Sequence, residues 1–171
     1  MSFVKVTSSD HIQGDPKAPV ELVEYGDYQC PYCGQAYYII KNIQKKMGED
    51  LKFVFRNYPL EDLHPNALHA AIAAETAVAQ GKFWEMHDML YENQRHLDDS
   101  AIINYAREVG LDVKSFEKEF GSQSTVEKVE YDIETGNKAG VQGTPSFFVN
   151  GKFFDGDWNN STFLDYLKSL V

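Results

Sequence analysis

The sequence predicts an α/β domain whose central sheet mixes parallel and antiparallel strands and whose chain is interrupted by an all-helical insertion. Three observations predict it. A strand-like run, Val20–Tyr25, is followed by an apolar-striped helix from Pro31 to about Met47 and a second strand-like run, Leu51–Arg56; that order makes a right-handed parallel crossover. Residues 67–138 then show helical periodicity without a strand signal. Finally, Asn150-Gly151 stands between Ser146–Val149 and Lys152–Phe154. Asn-Gly between apolar runs signals a hairpin, because both central residues must tolerate φ > 0.

In chain order, Ser2–Thr7 alternates Phe3, Val4 and Val6 with polar residues and reads as a short strand or an extended arm. Ser8–Pro19, with Gly14-Asp15-Pro16 and Ala18-Pro19, reads as loop. Val20–Tyr25 is broken by Gly26-Asp27, and the helix that follows carries Tyr37, Tyr38, Ile40, Ile43 and Met47 as its stripe down to Gly48. After the second strand, helices are expected over Ala67–Gln80, Phe83–Asn93, Asp99–Val109, Val113–Phe120 and Ser124–Lys138, and a closing helix over Ser161–Leu170 turns Phe163, Leu164 and Leu167 inward. The expected division is a discontinuous sheet-bearing domain, 1–62 and 139–171, with the insertion at 63–138.

With 171 residues, 43% of them hydrophobic, the chain is long enough for one domain with a real core and needs no disulfide framework. A net charge of −10 argues against a nucleic-acid surface and against adhesion to anionic membranes. No apolar run approaches the ~20 residues of a membrane span. Met1–Pro19 is polar and shows no secretory signal, so a cytoplasmic protein is expected as written, or a periplasmic one if a signal has been removed.

Chemistry concentrates at the only two cysteines. Cys30 sits at an N-cap position, with Pro31 at the first helical position, where a missing N–H costs nothing. A thiolate there meets free N–H groups and the positive end of the helix dipole, which lower its pKa. Cys30 is therefore expected to attack, and Cys33, three residues on and pointing into the helix body, to resolve. A purely structural disulfide would stabilise little across so short a loop. No metal is expected: a zinc site needs four ligands, there is no second cysteine pair, and His11, His64, His69, His87 and His96 are scattered. Gly136, Gly140 and Gly143 lack the spacing of a phosphate-binding loop.

The pattern resembles the DsbA-like branch of the thioredoxin superfamily. The residues that carry the resemblance are Glu24–Cys33, His64-Pro65, Gln80–Asp88, Gly110-Leu111-Asp112 and Gly140–Gly151, which together run nearly end to end. The resemblance implies a thioredoxin fold and a protein thiol–disulfide oxidoreductase whose redox group is the Cys30–Cys33 disulfide, with no other cofactor. It implies a cis peptide at Thr144-Pro145, where the residues alone suggest an ordinary trans turn, and a substrate strand paired to Thr144 opposite Cys30. Glu24 reads as a buried carboxyl or, on an edge strand, as a solvated one; the resemblance favours a proton relay to Cys33. Pro31, Tyr32 and Tyr28 are expected to contact substrate, the tyrosines as an apolar platform. Trp84 and His87 are expected in the core, and His64 in shaping the loop into the insertion.

One departure bears on redox direction. Tyr32 stands where the best-known oxidant of this family has a histidine, and Asp27 lies close upstream. Neither favours a thiolate, so a middling or reducing potential is expected. The expected partners are protein or small thiols and disulfides plus an upstream redox partner, for a monomer without nucleic acid. Two alternatives stay open: a non-redox binding module, and a glutathione-dependent enzyme on the same scaffold.

Overall fold

Two strands buried at nearly every position set the layering. In the computed structural model, which describes residues 3–171, β2 (Val20–Gly26) and β3 (Leu51–Asn57) pair in parallel from Val20↔Leu51 to Gly26↔Asn57 and are buried on both faces. The crossover between them is α1 (Pro31–Met47). Strands sandwiched between helices are buried on both faces, which is why Leu22-Val23 and Phe53-Val54-Phe55 are apolar in succession while Glu24 and Arg56 are buried polar exceptions.

Val20, Leu22, Leu51, Phe53 and Phe55 face one layer, where Ala36, Ile40 and Ile43 of α1 meet them. That layer also holds α2 (Ala67–Ala77), α3 (Phe83–Glu92), α4 (Asp99–Glu108) and α5 (Val113–Glu119), through Ala74, Leu90, Ile102 and Phe116. The helical insertion thus shares a continuous core with the sheet. Val23, Tyr25 and Val54 face the other layer, covered by Val4, Val141 and Ile133 of α6 (Gln123–Ala139). The chain closes with β4 (Ser146–Val149), β5 (Lys152–Phe153) and α7 (Ser161–Lys168). β4 runs antiparallel to β2, and β5 to β4. Asn150 (φ 47°) and Gly151 (φ 81°) make the expected hairpin turn.

The sheet order is β1-β3-β2-β4-β5, and its first member corrects the sequence reading. Ser8–Pro19 was expected to be loop, yet β1 (His11–Gly14) pairs antiparallel with β3. Four residues that end on Gly14, two before Pro16, give no local strand signal. What makes them a strand is the open edge of β3 and a buried anchor: Arg56 donates from Nε and Nη2 to the two carboxylate oxygens of Asp10, each at 2.8 Å. The arm is extended, with a bridge from Phe3 to Lys152; Ser2, where it was expected to begin, lies outside the described residues.

At the end of β3 a buried polar network binds the insertion to the sheet. The Asn57 N–H donates to Asp132 of α6 at 3.0 Å and its side-chain amide to Glu75 of α2 at 2.8 Å, while His11 of β1 bonds Glu75 at 2.9 Å. Lys128 pairs with Asp132 at 2.5 Å. No helix among the described residues is long and apolar enough to cross a membrane.

Phe163 docks α7: it is fully buried between Phe147 (5.3 Å between ring centroids) and Phe154 (4.7 Å). Phe163→Ala is predicted to cost about 3–5 kcal/mol, read as a lower urea midpoint, and to leave the ionisation of Cys30 unchanged.

Candidate active site

The site is built where β2 hands the chain to α1. Cys30 has extended backbone angles (φ −70°, ψ 123°), no side chain caps the helix, and Pro31 takes the first position. Its carbonyl accepts the Gly34 N–H at 3.0 Å. The first-turn amides are therefore left to the Cys30 sulfur. In the thiolate form that sulfur is stabilised most by a hydrogen bond from the Cys33 thiol; burial opposes this, and the Thr144 side chain and the N–H groups of Cys33 and Tyr32 add to it. The result is a pKa lowered from 9.0 to about 5.

Cys33 has the opposite environment. It is fully buried, and its sulfur accepts the Asp27 N–H at 3.4 Å. Burial foremost, then its bond to Cys30 and the charges of Glu24 and Cys30, push its thiol well above 9.0. Both cysteines are free thiols here.

Glu24 lies in the middle of the central strand, opposite Phe55 on one side and Phe147 on the other. It is 2% exposed, one carboxyl oxygen lacks a partner, and burial, aided by the Cys30 charge, raises its pKa from 4.5 to about 8. Across the site the Thr144-Pro145 peptide bond is cis, and the Cys30 thiol lies 3.6 Å from the Thr144 carbonyl oxygen, to which it donates. The structure thus brings Cys30, Cys33, Glu24 and Thr144 together, with Pro145 following Thr144 and with Pro31 and Tyr32 exposed at the rim.

Tyr28 does not join them. It was expected to offer partners an apolar platform, but it is 1% exposed, its hydroxyl bonds His87 Nδ1 at 3.0 Å, and its ring packs 4.8 Å from Tyr91. The aromatic wall of α3, with His87 itself buried as expected, draws the ring inward; only Tyr32, 63% exposed, faces solvent. Asp27, close upstream of the sulfurs, is tied into the turn. Its carboxylate is occupied, accepting the N–H groups of Gln29 (2.7 Å) and Leu60 (2.9 Å) and bonding His64 Nδ1 (2.7 Å). His64 thereby fixes the loop into the insertion, as expected of it.

Gln94 escaped the sequence reading. From the loop after α3 its side-chain amide donates to the carbonyls of Tyr28 (2.7 Å) and Cys30 (2.9 Å), strapping the cysteine turn to the insertion. Gly34 was the available signal: a Cβ there would stand 2.0 Å from the Gln94 side-chain oxygen. A glycine in the first turn of a helix is otherwise a cost relative to alanine. Beside this strap a cleft of about 950 Å³ opens between Pro31, Tyr38, His64 and Gln94.

Residues 6–169 match the family described as Thioredoxin. The chain belongs to that family. Within the thioredoxin family its fold is that of the DsbA-like branch. It superimposes on oxidised BdbD from Bacillus subtilis with a TM-score of 0.85 at 24% identity, covering 99% of this chain and 96% of that one. It is similar to a thioredoxin-like oxidoreductase from Silicibacter pomeroyi DSS-3 (TM-score 0.84, 27% identity, 95% and 92% covered). The same fold occurs in the thiol-disulfide exchange protein alpha-DsbA2 from Wolbachia pipientis (TM-score 0.83, 20% identity, 96% and 88% covered). Among curated relatives, a protein named Na(+)/H(+) antiporter NhaA 1 from Mycobacterium sp. (strain KMS) is 41% identical over 162 residues, which is 94% of this chain and 26% of that protein. The chain spans about a quarter of the length of that relative.

Between the unfolded pKa of 4.5 and the folded value of about 8, folded Glu24 holds a proton that the unfolded chain has released. Its contribution to stability is therefore fully present below 4.5 and is lost as pH rises through about 8. Glu24→Gln removes this dependence, so the reduced variant is predicted to gain on wild type steadily across that window in urea titrations. A constant difference would mean an ordinary carboxylate.

Proposed function

We propose that this chain is a thiol–disulfide oxidoreductase that exchanges the Cys30–Cys33 pair with protein thiols. The observation that carries the reading is the contrast between two sulfurs three residues apart: Cys30 with a pKa of about 5, Cys33 buried beneath it with a pKa well above 9.0. The low value makes Cys30 both a ready attacking thiolate and a good leaving group.

In the oxidising direction a substrate thiolate attacks the Cys30 sulfur of the disulfide. The Cys30–Cys33 bond breaks, its electron pair goes to Cys33, and Glu24 supplies the proton. A second substrate thiolate attacks the substrate sulfur of the mixed disulfide and expels Cys30 as a thiolate. Two substrate thiols become a disulfide, and the pair ends as Cys30 thiolate and Cys33 thiol. A disulfide-bearing redox partner restores it. Thr144, facing Cys30 with its carbonyl, would align an extended substrate segment, and Pro145, Pro31 and Tyr32 would flank it. The redox group is the pair itself, with no metal or organic cofactor.

Stabilising the Cys30 thiolate stabilises the reduced form, and that favours oxidation of substrates. This supports an oxidising poise over the reducing one that Tyr32 alone suggested. The likeness to a thioredoxin-like oxidoreductase agrees with the chemistry. The antiporter name belongs to proteins of which this chain matches about a quarter, and describes them as wholes.

Cys33→Ser is predicted to accumulate mixed disulfides through Cys30 when its thiolate attacks disulfide-bearing protein substrates such as insulin, visible on non-reducing gels, whereas Cys30→Ser accumulates none and loses insulin-reducing and refolding activity. Equal trapping by the two variants would refute the assignment.

A further inference from the structure

Buried polar atoms without partners cluster in this molecule. Of the five such side-chain oxygens among the described residues, two belong to Glu24 and Tyr91, groups that face the sulfurs. A buried unpaired hydroxyl is destabilising, and a phenylalanine at Tyr91 would fill the same space without it.

Tyr91 lies in the last turn of α3, and its ring is walled by Tyr28 (4.8 Å between centroids), His87 (5.1 Å), Tyr37 (5.3 Å) and Phe55 (6.0 Å). Its hydroxyl meets the end of β2: a Cβ on Gly26 would stand 2.8 Å from it. The Cys33 sulfur lies at the same turn of chain, 3.4 Å from the amide nitrogen of Asp27. Glu24, two residues before Gly26, shares its face of the strand. Three elements thus converge on one buried spot, and only a residue without a side chain at position 26 admits the hydroxyl.

We infer that the Tyr91 hydroxyl is a positioning residue for the exchange reaction, a fixed hydrogen-bond donor aimed at the negative charge as it passes between the Glu24 carboxylate and the Cys33 sulfur. The inference rests on the oxidoreductase reading. In the resolving step the Cys33 thiol gives its proton to the Glu24 carboxylate, and its sulfur bonds Cys30 while the Cys30–substrate bond breaks. The substrate leaves as a thiolate with that electron pair. Charge therefore enters on Glu24, crosses Cys33 and departs with the substrate.

The titratable groups facing this spot are Glu24 from β2, Asp27 and Tyr28 from the turn, Cys30 and Tyr37 from α1, and His87 from α3. None supplies a cation, since burial holds His87 neutral. An uncharged donor fixed by packing stabilises charge that develops there without a penalty for reorganisation. In the reduced, protonated site the hydroxyl has no partner, as a donor reserved for the charged state would not.

The test uses the mixed disulfide of Cys30 with a chromogenic aromatic thiol, thionitrobenzoate, whose release on attack by Cys33 is followed across pH in wild type, Tyr91→Phe and Cys33→Ser. Tyr91→Phe is expected to retain or raise the urea midpoint while the pH midpoint of release moves up by about one unit, with release about tenfold slower below it. Release by Tyr91→Phe at the wild-type midpoint and rate would overturn the inference, as would a lower urea midpoint with an unmoved pH profile, the mark of a packing role. Wild-type release no faster than that of Cys33→Ser would instead overturn the oxidoreductase reading itself.

Discussion

The unequal environments of two sulfurs at one helix end, one held as a thiolate by hydrogen bonds and the other kept protonated by burial, are the constraint around which the chain is arranged. Cys30 occupies the N-cap, where free amides and the Cys33 thiol converge on it, and its pKa falls to about 5. Cys33, one turn in, is packed against β2, and its ionisation is suppressed by the same burial that stabilises the core. The difference survives only if the helix start is held rigidly, because a frayed first turn would expose Cys33 and scatter the amides.

The rest of the structure supplies that rigidity. The parallel pair β2 and β3 fixes the exit of the chain at Gly26, and Asp27 locks the turn by accepting two backbone amides and bonding His64. From the insertion, Gln94 takes two carbonyls of the cysteine turn. The helical insertion is therefore coupled to the chemistry by hydrogen bonds as well as by the shared core. Two glycines make this possible through space: Gly34 admits Gln94, and Gly26 admits Tyr91. The unpartnered Glu24 oxygen marks a stability cost kept beside the sulfurs, where a carboxyl with a pKa of about 8 can exchange protons near neutral pH.

The fold was legible wherever the signal was local. The apolar runs of β2 and β3, the Cys30-Pro31 helix start and the Asn150-Gly151 turn each state their geometry in a few residues, and Cys30 and Cys33 follow from the same stretch. What stayed hidden depended on distant partners. β1 exists because β3 has an open edge and Arg56 reaches Asp10, and nothing in His11–Gly14 announces that. Tyr28 was placed at the rim because it neighbours Cys30, while its direction is decided by His87 and Tyr91, some sixty residues on. Gln94 and Tyr91 were invisible for the same reason, though the two glycines that accommodate them were in view.

The central claim is most directly tested by titrating the thiolate absorbance of the reduced protein. One thiolate should form with a midpoint near pH 5, belong to Cys30 by its loss in Cys30→Ser, and be followed by no second ionisation until well above pH 9. Two thiols ionising together near an ordinary cysteine value would contradict the account.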